Sequence, residues 1–185
     1  VEQAAMGGVG AAYSSNYRLN FINPAANSNL KIATYTIGGL SNRLTIEDNL
    51  GEQTANSSSL SYISLGFPIG ENTVFVAGLQ PVSSVGYSFI NNEDIDNDGL
   101  IDKATTFNGK GGASRIYGSF GIKLLKEFSI GIEGSYIFGN IENTITTVIR
   151  NADRATKDKE ITQIRGGSVK VGAIYEKELK NKLKL

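Results

Sequence analysis

The clearest pattern in the sequence is the alternation of apolar with small or polar residues between positions 114 and 139. Because successive strand side chains point to opposite faces of a sheet, the alternation predicts two strands, each with one apolar face. Only Leu125, Lys126 and Glu127 separate the two arms, so we expect an antiparallel hairpin with a tight turn. The apolar face is predicted to carry Ile116, Gly118, Phe120, Ile122, Leu124, Phe128, Ile130, Ile132, Gly134, Tyr136 and Phe138, and the other face Arg115, Tyr117, Ser119, Gly121, Lys123, Ser129, Gly131, Glu133 and Ser135.

The lengths of the strands and of their connections indicate a membrane protein. A tilted strand that crosses a bilayer needs roughly 9 to 11 residues, and each arm of the hairpin is that long. Turns at 68–72, 125–127 and 176–182 alternate with long polar connections, an arrangement typical of outer-membrane barrels. These connections are 41–59, 91–112 and a stretch that contains Arg150, Asp153, Arg154, Lys157, Asp158 and Lys159. The sequence therefore predicts an all-β fold, an antiparallel up-and-down transmembrane β-barrel. A soluble twisted sheet with one wet face is the alternative.

The chain divides into two predicted parts. Residues 1–30 are rich in small residues, and Asn23-Pro24 predicts a turn there because proline fixes its own φ and restricts the residue before it. We expect this part to pack against or inside the sheet. Residues 31–185 supply six strands and the start of a seventh, whereas bacterial barrels have an even number of at least about eight. The expectation is that they form the first part of an incomplete barrel.

Composition excludes several functions. The formal net charge is zero, which argues against binding nucleic acid, because phosphates require a basic surface. Histidine and cysteine are both absent, so the commonest general base, the commonest metal ligand and a thiol nucleophile are missing. No Gly-x-Ser-x-Gly motif occurs. We therefore predict that the protein is not an enzyme.

One loop has the residue spacing of a calcium site. Carboxylates at alternate positions, a glycine for the sharp turn and a backbone carbonyl after it correspond to the first nine positions of a calcium-binding loop. Position twelve of that pattern would be Thr105 instead of the usual glutamate, so we expect weak, structural calcium binding. A solvated Asp-Gly turn is the alternative. The predicted ligands are Asp94, Asp96, Asp98, Leu100 through its carbonyl, and Asp102.

The N-terminal part resembles a known family. Gly-Gly-Val-Gly at 7–10, followed by Asn23-Pro24-Ala25, is similar to the N-terminal hatch of the FadL/TodX outer-membrane family. The paired long strands are similar to barrel strands of the Bacteroidetes-type members of that family. The resemblance implies a hatch folded inside a barrel in a Gram-negative outer membrane. The residues that carry this implied hatch are Gly7, Gly8, Gly10, Asn23, Pro24 and Ala25.

Two functions follow from this resemblance. The first is passive uptake of long-chain fatty acids or other hydrophobic compounds, gated by the hatch, with membrane lipid and a hydrophobic small molecule as partners. The second is a non-transporting barrel subunit of a larger outer-membrane assembly, similar to the PorV-like proteins of secretion complexes, with other outer-membrane proteins as partners. The mixed polar and charged residues predicted on the inner face, such as Arg115 and Glu133, do not decide between them.

Overall fold

The protein is described from a computed structural model that covers residues 10–48, 51–96, 99–150, 152 and 154–177. Most of these residues form β-strands, whereas residues 10–33 are irregular apart from a short 3-10 helix, Pro24–Asn29. No helix in these residues is long and apolar enough to cross a membrane. The strands are β1 (Thr34–Asp48), β2 (Gly51–Ile69), β3 (Thr73–Glu93), β4 (Lys103–Lys123), β5 (Phe128–Ile149) and β6 (Thr156–Tyr175).

The six strands form one antiparallel sheet in sequence order, β1-β2-β3-β4-β5-β6. This confirms the predicted all-β antiparallel fold with neighbouring strands joined in succession. Within the described residues, β1 and β6 are the two edges and do not pair with each other, so the sheet is not closed into a barrel. The seventh strand predicted at Leu183 lies outside the described residues.

The predicted long loops are largely strand, and this is a correction to the sequence analysis. Residues 41–48 and 51–59 belong to β1 and β2, which stay paired from Thr34↔Gly66 to Asp48↔Gly51. Serine and threonine hydroxyls face each other across the two strands, with 3.1 Å between the Oγ atoms of Ser41 and Ser58. A strand ladder needs only backbone groups, and such hydroxyl pairs support it without apolar side chains. Polar composition therefore did not indicate a loop.

The chain consists of two compact units. Unit 1 comprises residues 1–80, 116–136 and 167–185. Its core contains Leu19 and Leu30 from the N-terminal segment, by which we mean residues 10–33, together with Val74, Val76 and Tyr117 of the sheet. A second cluster joins Ala25 and Ala26 of the segment to Ile174 of β6. The N-terminal segment is thus part of the folded core of unit 1.

Unit 2 comprises residues 81–115 and 137–166. Its side chains form a row of aromatic rings, in which Phe89 stacks on Phe107 with 4.7 Å between ring centroids and also lies beside Tyr87. The Tyr87 ring covers Gly109, where a side chain would collide with it. Unit 2 also contains ion pairs between partly exposed residues, such as the pair of Lys159 and Glu142 at 3.0 Å. Unit 2 is therefore held by strand pairing, aromatic contacts and surface charge pairs.

Candidate functional site

The two faces of the unit 1 sheet differ as the alternation predicted. Tyr117, Ser119, Ser129 and Glu133 are buried, whereas apolar residues between them in sequence are exposed. The buried face is the one that the N-terminal segment covers. The residue pattern of the central hairpin is thus confirmed, and its two faces form the candidate site.

Glycines on the buried face permit the N-terminal segment to approach the strands closely. A Cβ atom on Gly121 would lie 2.8 Å from the carbonyl oxygen of Pro24, and one on Gly131 would collide with the backbone of Ala25. The obstacle at both positions is backbone, which cannot rotate away. These glycines of β4 and β5 are therefore required for the segment to lie where it does.

The side chains of two asparagines, Asn20 and Asn27, hold the segment in shape. The Asn20 side chain is buried, and it donates through Nδ2 to the carbonyl oxygens of Gly10 (2.6 Å) and Tyr13 (2.7 Å). Its Oδ1 accepts from the backbone N–H groups of Ile22 and Asn23 at 2.7 and 2.9 Å. Asn27 bonds both backbone groups of Asn20, donating to its carbonyl at 2.9 Å and accepting from its N–H at 2.7 Å. Sequence reasoning did not single out Asn20 and Asn27, because their burial depends on contacts that form only in the folded chain.

Asn23 and Pro24 attach the segment to the sheet. Asn23 caps the 3-10 helix, because its Oδ1 accepts from the N–H of Ala25 at 3.0 Å, and Pro24 stands in the first turn. The Asn23 Nδ2 also donates to the carbonyl of Ala173 in β6 at 3.1 Å. The predicted residues Gly10, Asn23, Pro24 and Ala25 are thus brought together on the buried face, while Gly7 and Gly8 lie outside the described residues. Their role as a hatch stays a prediction.

An ion pair lies on the same face. The Lys170 ammonium is 3.0 Å from Oε1 of Glu133, whose side chain is only 6% exposed. Lys170 also donates to the carbonyl oxygen of Phe21 in the N-terminal segment at 3.3 Å. A charge as buried as that of Glu133 requires a partner, and the lysine supplies one while bonding the segment.

The opposite face of the unit 1 sheet is apolar and exposed. Ile132 is 51% exposed, and comparable side chains follow on the neighbouring strands. Small residues, Ala77, Gly118 and Gly134, line a depression of about 600 Å³ surrounded by larger apolar groups, and a second depression of about 570 Å³ lies beside Ala173. A patch of this kind marks a surface that a protein or a membrane covers. Its exposed members include Tyr35, Ile37, Ile63, Leu65, Phe67, Ile116, Phe120, Ile122, Ile130, Ile132, Tyr136, Val169, Val171 and Tyr175.

The acidic loop brings three of the predicted calcium ligands together. Carboxylate oxygens of Asp94, Asp96 and Asp102 lie within 4.8 Å of one another. The hydrogen bond from the backbone N–H of Ile95 to Asp102, joined by one from Asp96 and by the charge of Arg150, lowers the pKa of the Asp102 carboxyl. Asp98 lies outside the described residues. Calcium binding stays a prediction.

Comparison with known proteins decides the family. The model of the BamG family matches residues 1–185. The chain belongs to the BamG family. Members are components of the Bam complex at the outer membrane of Gram-negative bacteria, so the predicted location is confirmed. No curated protein and no solved structure matches the chain.

Membership of the BamG family shows that the FadL/TodX resemblance was wrong, and with it the prediction of a hydrophobic-compound transporter. Two of the residues that suggested it have a structural explanation. Pro24 and Ala25 pack against Gly121 and Gly131, and any segment that lies this close to a sheet needs small residues and a tight turn. The Asn-Pro-Ala turn is therefore explained by close packing and is not evidence for transport. Outer-membrane protein partners, by contrast, are what BamG membership implies.

Proposed function

We propose that this protein is a non-transporting and non-catalytic barrel subunit of the outer membrane β-barrel assembly machinery. Membership of the BamG family supports the assembly role. The observation that carries the proposal is the two-faced sheet of unit 1, with an exposed apolar face and a polar face covered by the protein's own N-terminal segment. A subunit that contributes to an assembly needs a surface for the membrane and for its partners, and it does not need an open passage.

In this proposal the strands of unit 1 belong to a transmembrane barrel wall. Side chains such as Phe120, Ile130 and Ile132 face lipid, and the alternate residues face inward, as in outer-membrane barrels. The N-terminal segment acts as a fixed plug. Its asparagine bonds, its backbone contact with Gly131 and its bond from Lys170 favour a segment that stays in place over one that opens.

Two arginine substitutions test the membrane-facing surface. Ile132 and Ile101 are 51% and 52% exposed, but only Ile132 belongs to the apolar face of unit 1, since Ile101 lies in the acidic loop. An arginine in the middle of the lipid face costs about 2 to 4 kcal/mol, whereas one in water costs little. We expect Ile132→Arg to lower the amount of folded protein in the outer membrane, and Ile101→Arg to leave it unchanged. Equal effects of the two would contradict a lipid-facing surface.

Depletion tests the assembly role. We expect cells depleted of the full-length protein to accumulate unfolded forms of unrelated outer-membrane barrels, measured as the fraction that fails to show heat-dependent gel mobility. Periplasmic proteins should fold normally, because their folding does not use the assembly machinery. The parent protein, purified in mild detergent, should retain other subunits of that machinery. Normal barrel assembly after depletion, with a protein that purifies alone, would refute the proposal.

A further inference from the structure

A cleft opens at the end of unit 1 where the short turns lie. Three pieces of chain surround it: the end of the N-terminal segment at 28–31, the β2–β3 turn at 70–72, and residues 123–126 at the β4–β5 turn. Its volume is about 620 Å³. We call it the turn-end cleft. A hydrogen bond of 2.8 Å from the Lys123 N–H to the carbonyl of Asn72 joins the two turns at its base.

The charge of the turn-end cleft is mostly positive. Lys31, Lys123 and Lys126 line it, and Glu71 is the one acidic residue among the lining side chains. Lys123 donates to the neutral amide oxygen of Asn29 at 3.1 Å. Within the described part of the chain, none of the three lysines is in an ion pair. The cleft is therefore suited to carboxylates.

Two nearby acids have hydrogen-bond partners within the protein. Glu127 accepts a hydrogen bond of 2.7 Å from the Tyr175 hydroxyl, and Glu176 accepts one of 2.8 Å from the amide of Asn29. Because the same Asn29 amide accepts from Lys123, Glu176 offsets part of the charge of that lysine. The charges of Lys31 and Lys126 are left for a group from another molecule.

The rim of the cleft is unusually apolar for a turn. Leu124 and Leu125 are 54% and 68% exposed, although tight turns ordinarily carry glycine, proline, asparagine or aspartate. Their N–H groups both donate to the Phe128 carbonyl, at 3.0 and 3.1 Å, so the backbone that presents them is fixed. Exposed leucines on a fixed backbone, with lysines beside them, are typical of a protein–protein interface, which has an apolar core and a polar rim.

We propose that the turn-end cleft docks an extended segment of another protein of the assembly, one in which carboxylate and leucine-sized side chains alternate. The inference rests on the proposed function, because it takes the partner from the Bam complex. Alternation suits the site, since charged and apolar side chains follow one another along its wall, where Leu124 and Leu125 lie between Lys123 and Lys126. A membrane surface fits less well, because the cleft is concave and part of its wall is the N-terminal segment.

Site-specific crosslinking tests the inference in the full-length protein. A photo-crosslinking residue replaces Leu125 in cells, and mass spectrometry identifies the crosslinked peptide. We expect one partner segment with alternating acidic and apolar residues. The pair Lys31→Glu and Lys126→Glu should lower the yield of that crosslink about tenfold, because attraction becomes repulsion at two positions. The matched control is Arg154→Glu with Lys157→Glu, two exposed cations of unit 2, which should leave the yield unchanged.

The outcomes separate this inference from the proposed function. The docking proposal would be overturned by crosslinks only to lipid, by crosslinks that the charge reversal does not change, or by no crosslink at all. The proposed function would still be upheld in those cases if the parent protein co-purifies with assembly subunits. A parent protein that purifies without such subunits would overturn the proposed function and the docking proposal with it.

Discussion

Units 1 and 2 share long antiparallel strands but differ in what lies against the sheet. In unit 1 the N-terminal segment meets glycines of the strands backbone to backbone and buries a network of asparagine bonds. In unit 2 Gly111, Gly112 and Gly139 meet the backbone of neighbouring strands, whereas Gly109 meets the ring of Tyr87, and charged groups pair at partly exposed positions. Unit 1 should therefore tolerate little change on the face that the segment covers, whereas unit 2 can adjust at Gly109, where the obstacle is a side chain. Five substitution and ligand experiments test this contrast.

The largest effect is expected at Gly131. Valine there would collide with the backbone of Ala25, and we expect Gly131→Val to destabilise unit 1 by about 3 kcal/mol and to displace the segment. Urea unfolding would measure the first effect, and tryptic cleavage after Arg18 in the folded protein the second. Gly134→Val is the control, since a Cβ at Gly134 has nothing within 4 Å. Similar losses for both variants would remove the distinction between the faces.

The asparagine network should give the next largest effect. Asn20→Ala leaves the carbonyls of Gly10 and Tyr13 and the N–H groups of Ile22 and Asn23 without their partner, and we expect a loss of about 2 kcal/mol. Asn42→Ala, at an exposed position of β1, should change stability little. Thermal melts of the two variants side by side are the measurement, and equal melting temperatures would argue against a fixed segment.

Lys170 tests the ion pair on the covered face. Lys170→Met removes the partner of Glu133 at 3.0 Å and the bond to Phe21, and we expect a loss of about 1 kcal/mol because the lysine side chain is itself partly exposed. The effect should persist in high salt, since burial shields Glu133 from ions. Lys157→Met is the exposed control. A loss that disappears with added salt would mean that the pair behaves as a surface pair.

A smaller effect is expected in unit 2. A Cβ on Gly109 would meet the Tyr87 ring, which can rotate aside, so Gly109→Ala should cost about 1 kcal/mol or less. The ring would lose its hydrogen bond of 3.2 Å to Asn143 when it moves. Tyrosine fluorescence during urea unfolding would follow this change. A cost as large as that of Gly131→Val would show that the Tyr87 ring is held as rigidly as the backbone of the N-terminal segment.

The acidic loop should give the smallest effect. We expect millimolar calcium to raise the melting temperature slightly at neutral pH, and Asp96→Ala with Asp98→Ala to abolish the increase. Asp102 has a lowered pKa, so its stabilising contribution is present above its unfolded pKa and is lost as the pH falls through its folded pKa. The calcium effect should decline over the same acidic range. No calcium-dependent increase in the parent protein would rule out the site.

The strands of the central hairpin and their faces could be predicted from local sequence. Alternation at 114–139 placed Tyr117 and Glu133 on the covered face and Ile116 and Ile132 on the exposed one, because a strand has a period of two whatever surrounds it. The same reasoning placed the turn at Leu125 to Glu127. It failed at 41–59, where polar residues lie in paired strands, because pairing depends on the partner strand and not on local polarity.

The roles of the glycines and asparagines, by contrast, depend on the tertiary structure. Alternation placed Gly131 and Gly134 on opposite faces, but it did not show that one meets the backbone of Ala25 while the other meets nothing. Asn20 and Asn27 read as ordinary polar residues until the chain brings their amides to backbone groups up to 10 positions away. Gly78 of β3 likewise lies under the Tyr117 ring. Contacts between distant positions arise only when the segment lies on the sheet, and alternation along one strand carries no information about them.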